Sequence, residues 1–187
     1  MSEHLRKLSP GRIVVLGFAF VILTGSLILW LPISANEGVH VNYIDALFTS
    51  TSAVCVTGLI AVDTADTFNV FGRTVVALLI QIGGLGVTCV GVGFILLAGK
   101  KIGIHGRVLI RDSMNLTTVK GVVALVESIL FMTLLFEGIG AFLSFLVFSR
   151  DYPALDALGI SVFHSVAAFN NSGFDILGGL TNLIPYQ

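Results

Sequence analysis

Three stretches of this chain are too long, too apolar and too poor in charge to fold in water, and they constrain everything else. Residues 13–30 carry no charged side chain, and Pro32 follows them. As a helix these 18 positions reach about 27 Å, close to the hydrocarbon thickness of a bilayer. Residues 74–98 make a second run, 25 residues without a charge, and residues 121–148 a third, whose only acids are Glu127 and Glu137. Apolar residues make up 55% of the chain and charged residues 11%, against roughly 25% charged in a soluble domain. The first run lacks a small-residue cleavage site and is long enough to span, so it reads as a helix and not as a signal peptide. Cys55 and Cys89 sit in apolar stretches outside any CxxC or Cys/His cluster and read as reduced, buried small residues.

Two shorter segments do not fit the spanning pattern. Residues 42–53 (NYIDALFTSTSA) are amphipathic and as a helix would reach about 18 Å, enough to enter a bilayer but not to cross it. Residues 155–169 (LDALGISVFHSVAAF) repeat that layout after the third run and lead into Asn170-Asn171-Ser172-Gly173-Phe174. Basic residues set the orientation. Arg6, Lys7 and Arg12 precede the first run, and Lys100, Lys101, Arg107, Arg111 and Lys120 lie between the second and third. Eight of the ten basic residues therefore share one side, which reads as cytoplasmic. Arg73 and Arg150 fall on the other side with Glu37, Asp45, Asp63, Asp66, Asp151, Asp156 and Asp175, an acid-rich face that would raise the local cation concentration. Each short segment then begins and ends outside, so each must dip into the membrane and return. Non-helical backbone at that depth is tolerated only inside protein or along a watery cavity.

The two dips are related by an offset of 115 residues. Phe48 then meets Phe163, Ser50 meets Ser165, Ala53 meets Ala168, Thr57 meets Ser172 and Gly58 meets Gly173. A short helix entering from outside aims its partially negative C-terminus at the membrane interior. The chain that turns back from it has carbonyl oxygens free to replace an ion's hydration shell. Glycine at 58 and 173 allows a positive φ and a close approach to the ion. Thr57 and Ser172 add hydroxyls. Neither residues 54–59 nor residues 170–174 carry a charge, which favours K⁺ or Na⁺ over Ca²⁺, an ion that prefers carboxylates.

The glycines of the second run, Gly83, Gly84, Gly86, Gly91 and Gly93, lack the preceding strand of a nucleotide loop and read as close packing against the first short helix. Glu127 and Glu137, ten residues apart, lie about 80° from one another on a helix, so one inward face has room for both; the alternatives are pairing, a place near the membrane interface or contact with a neighbouring subunit. His164 has no second ligand near it in sequence and reads as a packed, hydrogen-bonded side chain. Residues 100–115 are basic and interleaved with Ile102, Ile104, Val108 and Leu109, a pattern for the inner membrane surface or for contact with a cytosolic regulator. No HExxH, GxSxG or paired-aspartate pattern points to an enzyme.

The stretches Thr51-Ser-Ala-Val-Cys-Val-Thr-Gly-Leu59, Gln81-Ile-Gly-Gly-Leu-Gly86 and Phe163-His-Ser-Val-Ala-Ala-Phe-Asn-Asn-Ser-Gly-Phe174 resemble the Trk/Ktr/HKT superfamily of potassium transporters, most closely a bacterial Ktr-type membrane subunit. The resemblance implies an all-α membrane protein of helix–pore loop–helix repeats, potassium-channel-like, with four repeats around one pore. This chain holds one complete repeat and most of a second: a cytoplasmic N-terminus (1–12), a first repeat (13–98), a cytoplasmic connection (99–120) and a second repeat without its closing helix (121–187). It is therefore read as the N-terminal portion of such a protein, not expected to conduct alone. By position, Val56, Thr57 and Gly58 match the first repeat's selectivity filter, and Asn171, Ser172 and Gly173 the second's. Glycine at 58, rather than serine, is similar to the potassium-selective class. K⁺ is then the transported ion, with no other cofactor. The resemblance further implies membrane lipid, a second copy of the chain in a homodimer, and a cytosolic ring of nucleotide-binding regulatory subunits as partners, with no nucleic acid. The competing expectation is a non-conducting membrane scaffold or assembly subunit with vestigial pore loops.

Overall fold

The computed structural model describes residues 10–99 and 102–186; Arg6, Lys7, Lys100 and Lys101 lie outside the described residues. Among the described residues the fold is helical, with a single isolated bridge between Ala35 and Phe68 and no strand. Helix α1 (Pro10–Trp30) and helix α7 (Val122–Phe148) are each long and apolar enough to cross a membrane. Each is followed by a shorter helix, α2 (Tyr43–Val54) after α1 and α8 (Ala154–Phe169) after α7. A one-turn helix α3 (Thr64–Thr67) precedes α4 (Val70–Leu85), then come α5 (Val87–Leu97) and α6 (Ile104–Ser113). Phe20, Leu23, Phe131, Leu134 and Phe142 stay exposed along α1 and α7, as expected where the solvent is hydrocarbon.

The second apolar run is not one straight helix. It breaks at Gly86, where φ is +81°, and the axes of α4 and α5 meet at 104°. That φ is accessible to glycine at little cost and strained for any other residue. Hydropathy alone cannot register this, because both halves remain apolar.

The two long-helix–short-helix pairs are built alike. In the first, Ser50 of α2 donates its hydroxyl to the carbonyl of Ile22 on α1 at 2.8 Å. In the second, Ser165 of α8 donates to the carbonyl of Glu137 on α7 at 2.7 Å. A Cβ at Gly25 would come within 2.7 Å of the Ser50 hydroxyl, and one at Gly140 within 2.5 Å of the Ser165 hydroxyl. All six positions, 22, 25 and 50 with 137, 140 and 165, pair at the offset of 115, so the repeat suggested by a handful of identities is also a repeat of contacts.

Helix α4 sits between the pairs and touches α1, α2 and α8. Its glycines make this possible. A Cβ at Gly83 would collide with the Val54 carbonyl at the end of α2, and one at Gly84 with the side-chain oxygen of Asn170 after α8. Gly93 packs on Leu130 of α7, whereas Gly91 faces open space. The shared core contains Leu29, Ala46, Ala53, Val54, Val76, Ile80, Phe68 and Phe163.

At one end of the bundle a belt of polar contacts joins the connections. Asn36 donates to the carbonyls of Ala65 and Asp66, and Asn69 to those of Ile33 and Ala35. Arg73 donates to the carbonyls of Phe68 and Ala65. Asp63 caps α3 by accepting from the backbone of Ala65 and Asp66 with one oxygen, and accepts from the Leu180 backbone at 2.9 Å with the other. Asp66 accepts from the Gly179 backbone at 3.0 Å.

Candidate functional site

The segments after α2 and α8 leave their helices by the same route. Cys55, Val56 and Thr57 donate backbone N–H groups to the carbonyls of Thr51, Ala53 and Ser52. Asn170, Asn171 and Ser172 donate to those of Val166, Ala168 and Ala167, which are the equivalent positions. Val56 and Asn171 then take positive φ values of 55° and 54°, and Gly58 and Gly173 of 67° and 74°. The left-handed turn at Val56 is costly for a β-branched residue and marks a conformation imposed by its surroundings.

Beyond these turns the chains run without helix, and their carbonyls are free. Among the described residues no backbone or side-chain donor reaches the carbonyl oxygens of residues 55–60 or 170–176. The two stretches also meet. A Cβ at Gly58 would strike the Ser172 carbonyl oxygen and lie 3.0 Å from Gly173 Cα. A Cβ at Gly173 would lie 3.5 Å from Gly58 Cα. Gly58, Ser172 and Gly173 therefore meet, with Val56 and Thr57 preceding Gly58 along the first turn and Asn171 preceding Ser172 along the second. Thr57 is exposed and its hydroxyl is 3.0 Å from that of Ser52, whereas Ser172 is buried and its hydroxyl has no partner among the described residues.

Asn170 has no role of its own in the sequence motif, yet its amide reaches Gln81 of α4 at 2.9 Å and the Val166 carbonyl at 2.9 Å. The available signal was Gln81 itself, the one side-chain amide in a run of 25 residues without a charge. Of the two acids of α7, only one faces the packed interior. Glu137 is buried at 9% exposure and Glu127 is exposed, because the 80° between them is enough to carry one off the packed face. His164 is packed as expected. Its Nδ1 lies 2.8 Å from the Ile160 carbonyl and its ring stacks near Phe148 and Phe163. Cys89 is buried as expected, but Cys55, at the end of α2, is exposed. No group of three or more metal-ligating side chains converges among the described residues.

Long apolar helices, a bent apolar pair and a helical fold without strands among the described residues define the class as an all-α membrane protein. Comparison with known proteins narrows this. Residues 10–183 match the TrkH family, described as a cation transport protein, and the chain belongs to that family. It is 39% identical over 179 residues to the potassium/sodium uptake protein NtpJ of Enterococcus hirae, covering 95% of this chain and 40% of that protein. Identity to the Ktr system potassium uptake protein B of Bacillus subtilis is 39% over 170 residues, covering 91% of this chain and 38% of the relative. The protein of that same name from Vibrio alginolyticus is 34% identical over 167 residues, 87% of this chain and 35% of its own length. The chain thus spans about two-fifths of the length of these relatives.

Proposed function

We propose that this chain contributes two of the carbonyl-lined walls of a potassium-selective pore in a membrane transport subunit. The observation that carries the reading is the meeting of two loops, at residues 55–60 and 170–176, whose carbonyls have no donor among the described residues and which carry no charge over 55–60 and 170–174. A row of such oxygens can substitute for hydration water around a monovalent cation, which an uncharged site releases more readily than a carboxylate site would. The filter residues are Val56, Thr57 and Gly58 in the first loop and Asn171, Ser172 and Gly173 in the second. Names of relatives that specify potassium uptake support the choice of ion.

In this reading α1 and α7 span the membrane, the α4–α5 pair is the closing element of the first repeat, and α2 and α8 enter from outside. The N-terminus and α6, with Arg107 and Arg111, face the cytoplasm. A second copy of the chain and a cytosolic nucleotide-binding ring complete the assembly. The test is Gly58→Ser in the intact gene product, with K⁺ and Na⁺ uptake measured separately. The reading expects the K⁺/Na⁺ ratio to fall by about tenfold, the weight of roughly 1.4 kcal/mol of discrimination. An unchanged ratio in protein that reaches the membrane would remove the first loop from the filter.

A further inference from the structure

The repeat is broken at the positions that hold each loop in place. In the first loop the brace is internal: the Ser52 and Thr57 hydroxyls are 3.0 Å apart. At the offset of 115 the partner of Ser52 is Ala167, so the equivalent pair cannot form, and the Ser172 hydroxyl is left buried without a partner. Two other positions of the second repeat are polar where the first is apolar or weakly polar. Glu137 stands where the first repeat has Ile22, and Asn170 where it has Cys55.

The second of these substitutions meets Gln81, on α4 of the first repeat. Asn170 donates one amide to both the Gln81 side-chain oxygen and the Val166 carbonyl. Glu137 is 9% exposed on α7, and its Oε1 is buried without a partner among the described residues. The contact that geometry defines is the one between Asn170 and Gln81. Gly84 leaves the space that the Asn170 side chain fills.

We infer that Gln81 and Asn170 form a latch that sets the second loop against the first, replacing the hydroxyl brace that the second loop lacks. They are positioning residues. The latch ties the start of the loop after α8 to α4. The inference rests on the filter reading above, and it adds that α4 of the first repeat controls the geometry of the second loop.

The experiment uses the intact gene product and measures the K⁺/Na⁺ uptake ratio, the half-saturating K⁺ concentration and the amount of protein in the membrane. Gln81→Leu and Asn170→Ala are each expected to lower the ratio about fivefold, the equilibrium weight of one net hydrogen bond. The double variant is expected to be no worse than the more damaging single, because both act through one contact. Ala167→Ser, added to Gln81→Leu, is expected to recover a large part of the ratio by giving the Ser172 hydroxyl a partner. A purely structural role would change the amount of protein without changing the ratio. Where Asn170→Ala does not accumulate, Gln81→Leu, a substitution at a half-buried site, decides. An unchanged ratio in Gln81→Leu overturns the latch. Gly58→Ser and Gly173→Ser run beside it judge the filter reading separately: altered ratios there with an unaltered Gln81→Leu leave the filter and remove the latch, and a change in Gln81→Leu alone removes the filter reading and the latch with it, because Gln81 then acts on the ratio by a route other than these loops.

Discussion

The loops after α2 and α8 follow the same path and are held differently. Both leave a helix through three equivalent backbone hydrogen bonds, turn at a positive φ and reach a glycine in the left-handed region. The first is braced within itself by Ser52 and Thr57, while the second depends on a side chain borrowed from α4. The difference teaches that a duplicated backbone does not need duplicated support. The path is set by local turn geometry and the opposing loop, and whatever polar groups are nearby can stabilise it. Gly58 and Gly173 show the same asymmetry. Gly58 is pressed against the Ser172 carbonyl, whereas Gly173 has only the Gly58 Cα at ordinary contact distance.

The most damaging way to probe that asymmetry is alanine at each glycine. Both positions carry the left-handed backbone cost of about 1–2 kcal/mol, but Gly58→Ala also forces a methyl into backbone. Uptake of K⁺ is expected to fall at least about tenfold in Gly58→Ala and by clearly less in Gly173→Ala; equal losses would deny that the first glycine is the more confined. Gly83→Ala comes next, since it pushes on the Val54 carbonyl at the base of the first loop. Overpacking of this kind costs about 1–3 kcal/mol, to be read as a lower melting temperature of the purified protein. Gly91→Ala, in open space within α5, is expected to leave the melting temperature unchanged or slightly raised.

A third comparison concerns the tie between the connections. Asp63→Ala removes the α3 cap and the acceptor for Leu180 together, and about 1–2 kcal/mol of stability is expected to go with them. Asp66→Ala, which loses the acceptor for Gly179 but no cap, is expected to cost less. The smallest effect belongs to Ser50→Ala and Ser165→Ala. Each removes one hydrogen bond to a long-helix carbonyl, about 1 kcal/mol, and the two melting temperatures are expected to fall by similar amounts. A large difference between them would break the equivalence of the two helix pairs.

Much of the architecture could be read from residues before any coordinates. Long apolar runs located α1 and α7, and short segments too short to span located α2 and α8. Phe48 with Phe163 and Ser50 with Ser165 announced a repeat whose contacts are equivalent. The bend at Gly86 could not be read, because a hydropathy window averages over a single backbone angle. The inward Glu137 and outward Glu127 could not be separated either, since 80° on a helix is compatible with one packed face or two surroundings. Contacts of Asn170 with Gln81, and of Asp63 with Leu180, join residues 89 and 117 positions apart and depend on how helices already placed by their apolar faces happen to meet. The convergence of Gly58 and Gly173 belongs between these cases: the residues were identifiable from spacing and turn chemistry, and their proximity required the fold.

The most direct measurement is anomalous scattering from Rb⁺ or Tl⁺ soaked into crystals of the intact gene product. The account predicts peaks within coordination distance of the carbonyl oxygens of Thr57, Gly58, Ser172 and Gly173, displaced by excess K⁺. Peaks confined to other parts of the molecule, with these carbonyls bonded to protein donors, would contradict it.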